Sequence, residues 1–235
     1  EEAEIDLMAV ALECEPALDP ESIGSALEDY ERQIEPLITE RLEQAREVQR
    51  RSEQMERLRE DDSPAARRGL SVMVERWQEA RQAMARTVES LAELNRETVD
   101  RLAAQLPDGA GRTLRHHYNK AAFPDIYQPG ESTEELIRKV QESEIITPDQ
   151  RDRIDRIAWE FREKYAVLSR EMVDLRRNRS FEPSNFQFPT KEQINREMTL
   201  QRLDFKREEL MARAKMKLRL TLSEDQLRQI PQLAR

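Results

Sequence analysis

The sequence predicts an all-α protein of elongated antiparallel helical hairpins, a coiled-coil-like bundle with long helices. Three observations carry that expectation. Charged residues make up 37% of the chain, as large a share as the hydrophobic ones, and only 5 of its 235 residues are glycine. Such a composition suits long, exposed helices that bury narrow stripes rather than a thick core. Apolar residues recur at three- and four-residue spacing over long stretches, which also argues against disorder. The main interruptions are capped, proline-led helix starts such as Asp19-Pro20, Ser63-Pro64 and Thr147-Pro148.

Residues 1–19 read as an acidic N-terminal arm, with a short apolar run from Ile5 to Leu12 that could form a short helix. Asp19-Pro20-Glu21-Ser22 then opens a helix, with Asp19 as cap and Glu21 beside the positive helix end. Ile23, Leu27, Tyr30, Ile34, Leu37, Leu42, Val48 and Met55 continue one face to about residue 60, and Pro36 should kink or divide it. Asp61-Asp62-Ser63-Pro64 breaks the chain and restarts it. Leu70, Val74, Trp77, Met84, Leu91, Leu94, Thr98 and Leu102 carry the next helix to about Leu106, so 20–106 is expected to be one long antiparallel hairpin.

Residues 107–145 read as connecting short helices and a Pro/aromatic loop. Pro107-Asp108-Gly109 stops the hairpin, and a short helix is expected over roughly 110–122. Phe123 to Gly130, with two prolines and three large apolar residues, reads as an irregular connection. Ser132-Thr133-Glu134-Glu135 is expected to start a further short helix ending near Ser143. Residues 146–235 form the last region. After Thr147, the residues Ile154, Ala158, Phe161, Tyr165, Leu168, Met172 and Leu175 alternate spacings of four and three, a coiled-coil seam. A turn-rich linker from Ser180 to Pro189 carries Phe181, Phe186 and Phe188. Thr190 caps a final long helix through Ile194, Met198, Leu203, Phe205 and Leu210. Lys215 to Leu222 alternates with period two, as a strand would, but no second strand is present to pair with it, so helix is expected. The ladders at 18–38 and 146–168 echo each other, either as a true repeat or as two capped amphipathic helices that look alike.

The net charge of -9 is uneven: residues 1–35 hold twelve Asp/Glu and one base, Arg32. That arm repels nucleic acid and anionic lipid, so neither is an expected partner. It reads either as a solvated acidic face or as a dock for the basic C-terminal segment. Cys14 is the only cysteine, which excludes an intrachain disulfide and leaves the redox compartment open. No stretch approaches the apolar length of a transmembrane segment. The chain begins at Glu1 rather than Met, as expected of a processed product or a fragment.

Little points to catalysis. The two histidines, His116 and His117, are adjacent and project about 100° apart on a helix, a poor geometry for joint metal ligation. There is no nucleophile constellation, no P-loop and no glycine-rich dinucleotide turn. The expectation is therefore no catalytic residues, no metal and no cofactor. One segment could hold a partner. Met211, Arg213, Lys215, Met216, Lys217, Leu218 and Arg219 interleave bases with adaptable apolar groups. The alternative is a core stripe with snorkelling basic stems.

Two helix starts carry a resemblance. Ile146-Thr147-Pro148-Asp149-Gln150 and Leu222-Ser223-Glu224-Asp225-Gln226 resemble the LTxxQ motif of the Spy/CpxP-like periplasmic proteins. Ile146 stands in place of Leu in the first copy and Ser223 in place of Thr in the second. In each, Thr or Ser caps the helix and Gln can reach back to the cap. The resemblance covers 146–178 and 222–233. It implies an all-helical, often dimeric protein, periplasmic or secreted, that acts as an ATP-independent chaperone or in a stress response. The chain lacks a His-rich sensor's ligands, and the 20–106 hairpin has no counterpart in that family. The expected function is thus binding of protein partners or clients without catalysis, by a homo-oligomer. The alternative is a structural coiled-coil subunit of a homo-oligomeric assembly or filament.

Overall fold

A computed structural model describes residues 2–12, 14, 20–61, 63–177 and 190–234. All regular structure among the described residues is helical, with no strand: a 3-10 turn at Glu2–Glu4, then α1 (Leu7–Leu12), α2 (Pro20–Glu60), α3 (Pro64–Gln105), α4 (Asp108–Ala122), α5 (Pro124–Gln141), α6 (Pro148–Arg177), α7 (Lys191–Thr221), α8 (Glu224–Gln229) and α9 (Pro231–Ala234). The all-α expectation holds, and the period-two stretch after Lys215 is helical. The linker 180–189 with its three phenylalanines, and the Asp19 cap, lie outside the described residues. None of the described helices is long and apolar enough to cross a membrane.

The chain forms two compact units, residues 1–122 and 123–235. In the first unit α2 and α3 form the expected hairpin. Leu58 meets Gly69 near the turn, Arg51 donates to the Arg76 carbonyl midway, and Tyr30 meets Asn95 towards the far end, so the helices run antiparallel. Ser63 caps α3 by accepting from the Ala66 N–H at 3.1 Å, with Pro64 at the first helical position where its missing N–H costs nothing. Pro36 neither ends nor divides α2. It is exposed, as is Arg32, whose carbonyl loses its helical donor and can turn to water.

The N-terminal segment is less of an arm than its charge suggests. Leu7, Val10, Ala11 and Cys14 are buried in one core with Ile23, Leu27, Tyr30, Leu94, Val99, Leu102, Leu114 and Tyr118. A polar chain ties it down: the Tyr30 hydroxyl donates to Asn95 Oδ1 at 2.7 Å, and Asn95 Nδ2 donates to the Glu2 carbonyl at 2.7 Å. Burial, with help from the Asp6 charge, pushes the Tyr30 phenol up to about 12, so it stays protonated and able to donate. Glu4 pairs with Arg41 at 2.7 Å. Part of the acidic charge is therefore used inside its own unit.

Residues 107–145, read from the sequence as one connecting region, are shared between the units: α4 packs on α3, and α5 on α6. The irregular stretch expected at 123–130 is instead the start of α5, with Phe123 at its N-cap, and Thr133, expected near a helix start, is fully buried inside it. The reason is a side chain from α6. Pro129 cannot donate to the helical ladder, and a ring at that position crowds the preceding turn. The Tyr165 hydroxyl enters the gap: it donates to the Ile126 carbonyl at 3.0 Å and takes the Gly130 N–H. A Cβ at Gly130 would stand 2.4 Å from Tyr165 Cζ, so only glycine lets the ring in. Proline and glycine, both helix breakers locally, together make the seat for one tyrosine.

In the second unit α5, α6 and α7 pack antiparallel in sequence, as the pairs Gln141–Asp155, Asp125–Arg176, Glu160–Lys217 and Met172–Arg207 record. The α6 seam holds as expected through Ile154, Ala158, Phe161 and Tyr165. Beyond that Met172 is buried as expected, but Ser169 and Val173 join it in place of Leu168 and Leu175, which are half-buried. On α7 the buried face is Leu200, Leu203, Arg207, Ala214 and Leu218, whereas Ile194, Met198 and Phe205, which mark the helix in the sequence, are exposed. Both helix faces carry apolar residues at helical spacing, so local periodicity alone did not distinguish them.

Candidate functional site

The two motif copies come together. At the first, the Gln150 N–H donates to Thr147 Oγ1 at 3.3 Å and the Thr147 N–H donates back to Gln150 Oε1 at 3.0 Å. At the second, the Gln226 N–H donates to Ser223 Oγ at 3.4 Å and the Ser223 N–H donates to Gln226 Oε1 at 2.8 Å. Each is a capping box that satisfies two N–H groups left open by a helix start.

The glutamine amides then join each other. Gln150 Nε2 donates to Gln226 Oε1 at 2.9 Å, and Gln226 Nε2 donates to Gln150 Oε1 at 3.0 Å. Their remaining hydrogens cross over: Gln150 Nε2 donates to the Thr221 carbonyl at 2.9 Å, and Gln226 Nε2 to the Ile145 carbonyl at 2.7 Å. A glutamine amide has two hydrogens to give and two lone pairs to fill, and here all of them are used. The network maps onto itself when each residue is exchanged for its counterpart 76 positions away. The flanking apolar residues obey the same exchange. Ile146, Ile154, Leu222 and Ile230 are buried in one cluster, and Ile157 and Leu233 belong to it as well. Pro148 lies exposed at the head of α6. The motif's work here is structural: it locks the end of α7 and the start of α8 onto the start of α6.

Further along α6 and α7 lies an open groove of about 450 Å³. Ile157, Phe161, Val167, Leu168, Leu210 and Ala214 give it an apolar lining. Its rim is charged and of mixed sign. Glu160 receives Lys164 and Lys217 at 2.6 Å each, and Glu209 receives Arg213 at 2.6 Å. The hydrogen bonds from Lys164 and Lys217 hold the Glu160 carboxyl down to about 2. An apolar floor framed by both signs of charge can take an apolar side chain and orient the polypeptide that carries it.

The partner-binding residues expected from the sequence are divided among three faces of α7. Arg213 and Lys217 line the groove, and Met211 is half-buried against the core behind it. Leu218 is fully buried. Lys215, Met216 and Arg219 are exposed elsewhere on the helix. Sequence reasoning missed Glu160, Val167, Leu168, Lys206 and Leu210 as groove residues. The available signal was Leu168, a seam residue that ended up half-buried.

Among the described residues, no group of three or more His, Cys, Asp or Glu side chains converges to hold a metal. His116 and His117 stack edge to face with centroids 6.1 Å apart, and partial shielding, His117 and Lys120 hold His116 below its ordinary range. Cys14 is buried, with its Sγ 3.4 Å from the Val10 carbonyl. No family model, curated protein or solved structure matches the chain.

Proposed function

We propose that the protein is a non-catalytic binding module for other polypeptides, and that the α6–α7 groove is its working surface. The observation that carries this reading is the groove itself: an apolar floor of Val167, Leu168 and Leu210 open to solvent and framed by the Glu160, Lys217, Glu209 and Arg213 charges. Isolated pairs on such a rim add little stability, so they leave an apolar floor available without making the surface indiscriminately sticky. The resemblance of 146–150 and 222–226 to the LTxxQ motif supports an ATP-independent, chaperone-like role in the bacterial envelope. The interlocked glutamines supply a rigid base for the groove's two helices.

The test is binding of a permanently unfolded probe, a reduced and carboxymethylated globular protein, followed by fluorescence anisotropy. Val167→Glu combined with Arg213→Glu should weaken binding about tenfold or more. Val167 and Arg213 are exposed, so the fold and its melting temperature should be retained. No binding by the native protein, or unchanged binding by the double variant, overturns the reading. A structural subunit of a homo-oligomer is the second reading, and the exposed apolar face of α7 is what favours it.

A further inference from the structure

Among the described residues Arg207 is the charged side chain buried most completely, at 1% exposure. It projects from α7 onto one face of α6. One Nη donates to the Met172 sulfur at 3.0 Å, and the guanidinium carbon lies 5.2 Å from the Tyr165 ring centroid. Ser169 stands between those two residues on that face, four after Tyr165 and three before Met172. It is fully buried as well. Thr39, Thr199 and Thr221 each give their hydroxyl hydrogen to the carbonyl four residues back, but the Ser169 hydroxyl has no hydrogen-bond partner, and neither has Arg207 Nε. Asp204 approaches the guanidinium only to 3.6 Å and is itself exposed, where water screens it. The thioether and the ring are neutral. Two unused donors and a poorly compensated positive charge therefore share one enclosed place.

We propose that Arg207 and Ser169 bind one small monovalent anion, chloride, held by the Arg207 Nε–H and the Ser169 O–H. The chemistry selects the class of ligand. Both unused groups can donate, and a single positive charge in apolar surroundings is balanced by a single negative one. A cation is repelled by the guanidinium. A water could take both hydrogens but would leave the charge uncompensated. Burial sets the size, because an entering ion must shed its hydration shell, which costs a halide less than it costs sulfate or a carboxylate. The anion joins α6 to α7, so it stabilises the folded second unit in proportion to how fully the site is filled. Neither Arg207 nor Ser169 lines the α6–α7 groove. The proposal thus goes beyond the polypeptide-binding reading, and each can fail without the other.

The test is thermal unfolding of the full chain in sodium gluconate and in sodium chloride at equal ionic strength. Trp159 fluorescence reports on the second unit, with Trp77→Phe silencing the tryptophan of the first. The melting temperature should be higher in chloride by about 3 °C or more, and sodium bromide should reproduce the rise. Arg207→Met should melt alike in gluconate and chloride, and Ser169→Ala should lose about half of the rise or more. Chloride-35 NMR gives a direct reading: the native protein should broaden the chloride resonance more than Arg207→Met does, since the two differ only at a buried cation. A native protein that melts alike in gluconate and chloride overturns the proposal, as that is the behaviour of an enclosed water. A rise that persists in Arg207→Met, the mark of a general salt effect, overturns it too. So does a rise undiminished in Ser169→Ala, or equal broadening by the native protein and Arg207→Met.

Discussion

The paired glutamines and Arg207 are two ways of taking polar groups in among α6 and α7, and they differ in how completely they are partnered. Gln150 and Gln226 between them use every amide donor and acceptor they have. Arg207 is only 1% exposed, yet its partners are poor for a full charge. One Nη donates to the Met172 sulfur at 3.0 Å, the guanidinium carbon lies 5.2 Å from the Tyr165 ring centroid, and its carboxylate, Asp204, is 3.6 Å away and exposed. Its Nε has no hydrogen-bond partner, and neither do the hydroxyls of Ser169 and Thr133, also fully buried in this unit. A complete network fixes geometry and is costly to break in part. An incompletely compensated buried charge gives little net stability, because desolvation offsets most of what its partners supply.

The sharpest way to break the comparison is to make each group apolar. Gln150→Leu strands the Thr147 N–H, the Thr221 carbonyl and half of the Gln226 amide, and should cost about 2–3 kcal/mol. Because the two amides act as one unit, Gln150→Leu with Gln226→Leu should cost less than the separate losses combined, by about 1 kcal/mol or more. Urea unfolding followed by Trp159 fluorescence measures this in the second unit, with Trp77→Phe silencing the tryptophan of the first. Strict additivity would mean the two caps merely sit side by side.

The opposite sign is expected at Arg207. Arg207→Met keeps much of the side chain's length and removes the charge. The groups it leaves behind, a thioether and a ring, are neutral, and Asp204 is already exposed to water. Stability should be unchanged or raised by about 1–2 kcal/mol. A loss of similar size would show that the guanidinium is better served than its geometry indicates, and the contrast with the glutamines would collapse.

The same contrast separates what the sequence made legible from what it did not. The glutamine caps could be read directly, because capping boxes are local and their residues stand three apart. Their union could not, since it joins positions 76 residues apart. The α2–α3 hairpin and the α6 seam through Tyr165 followed from periodicity. The start of α5 did not, because Pro129 and Gly130 are breakers until Tyr165 fills the space between them. Arg207 lies on a helix crowded with charge, and nothing local sets it apart from Arg202 or Arg213 on the surface. The apolar run from Ile5 to Leu12 was legible as a short helix, and α1 spans Leu7–Leu12, but its burial in the core was masked by the acids around it. Of the segment expected to hold a partner only Arg213 and Lys217 line the groove, because two stripes of α7 have the same spacing and packing alone decides which one is buried.

A third group calibrates the scale. Glu160 is well partnered, like the glutamines, but it lies at the groove rim where water screens it. Its carboxyl is held at about 2 by hydrogen bonds from Lys164 and Lys217, below the ordinary value of 4.5. A depressed carboxylate stabilises the fold above its unfolded value, and that contribution fades as the pH falls from about 4.5 through about 2. Screening limits it to less than about 1 kcal/mol at neutral pH. Glu160→Gln should therefore cost a few tenths of a kcal/mol at pH 7, and the difference from the native protein should vanish by pH 2, as urea unfolding at several pH values would record. A penalty as large as that of Gln150→Leu would mean that direct pairing, rather than burial with full pairing, governs stability in this unit. A penalty that persisted at pH 2 would assign Glu160 a packing role that its charge does not explain.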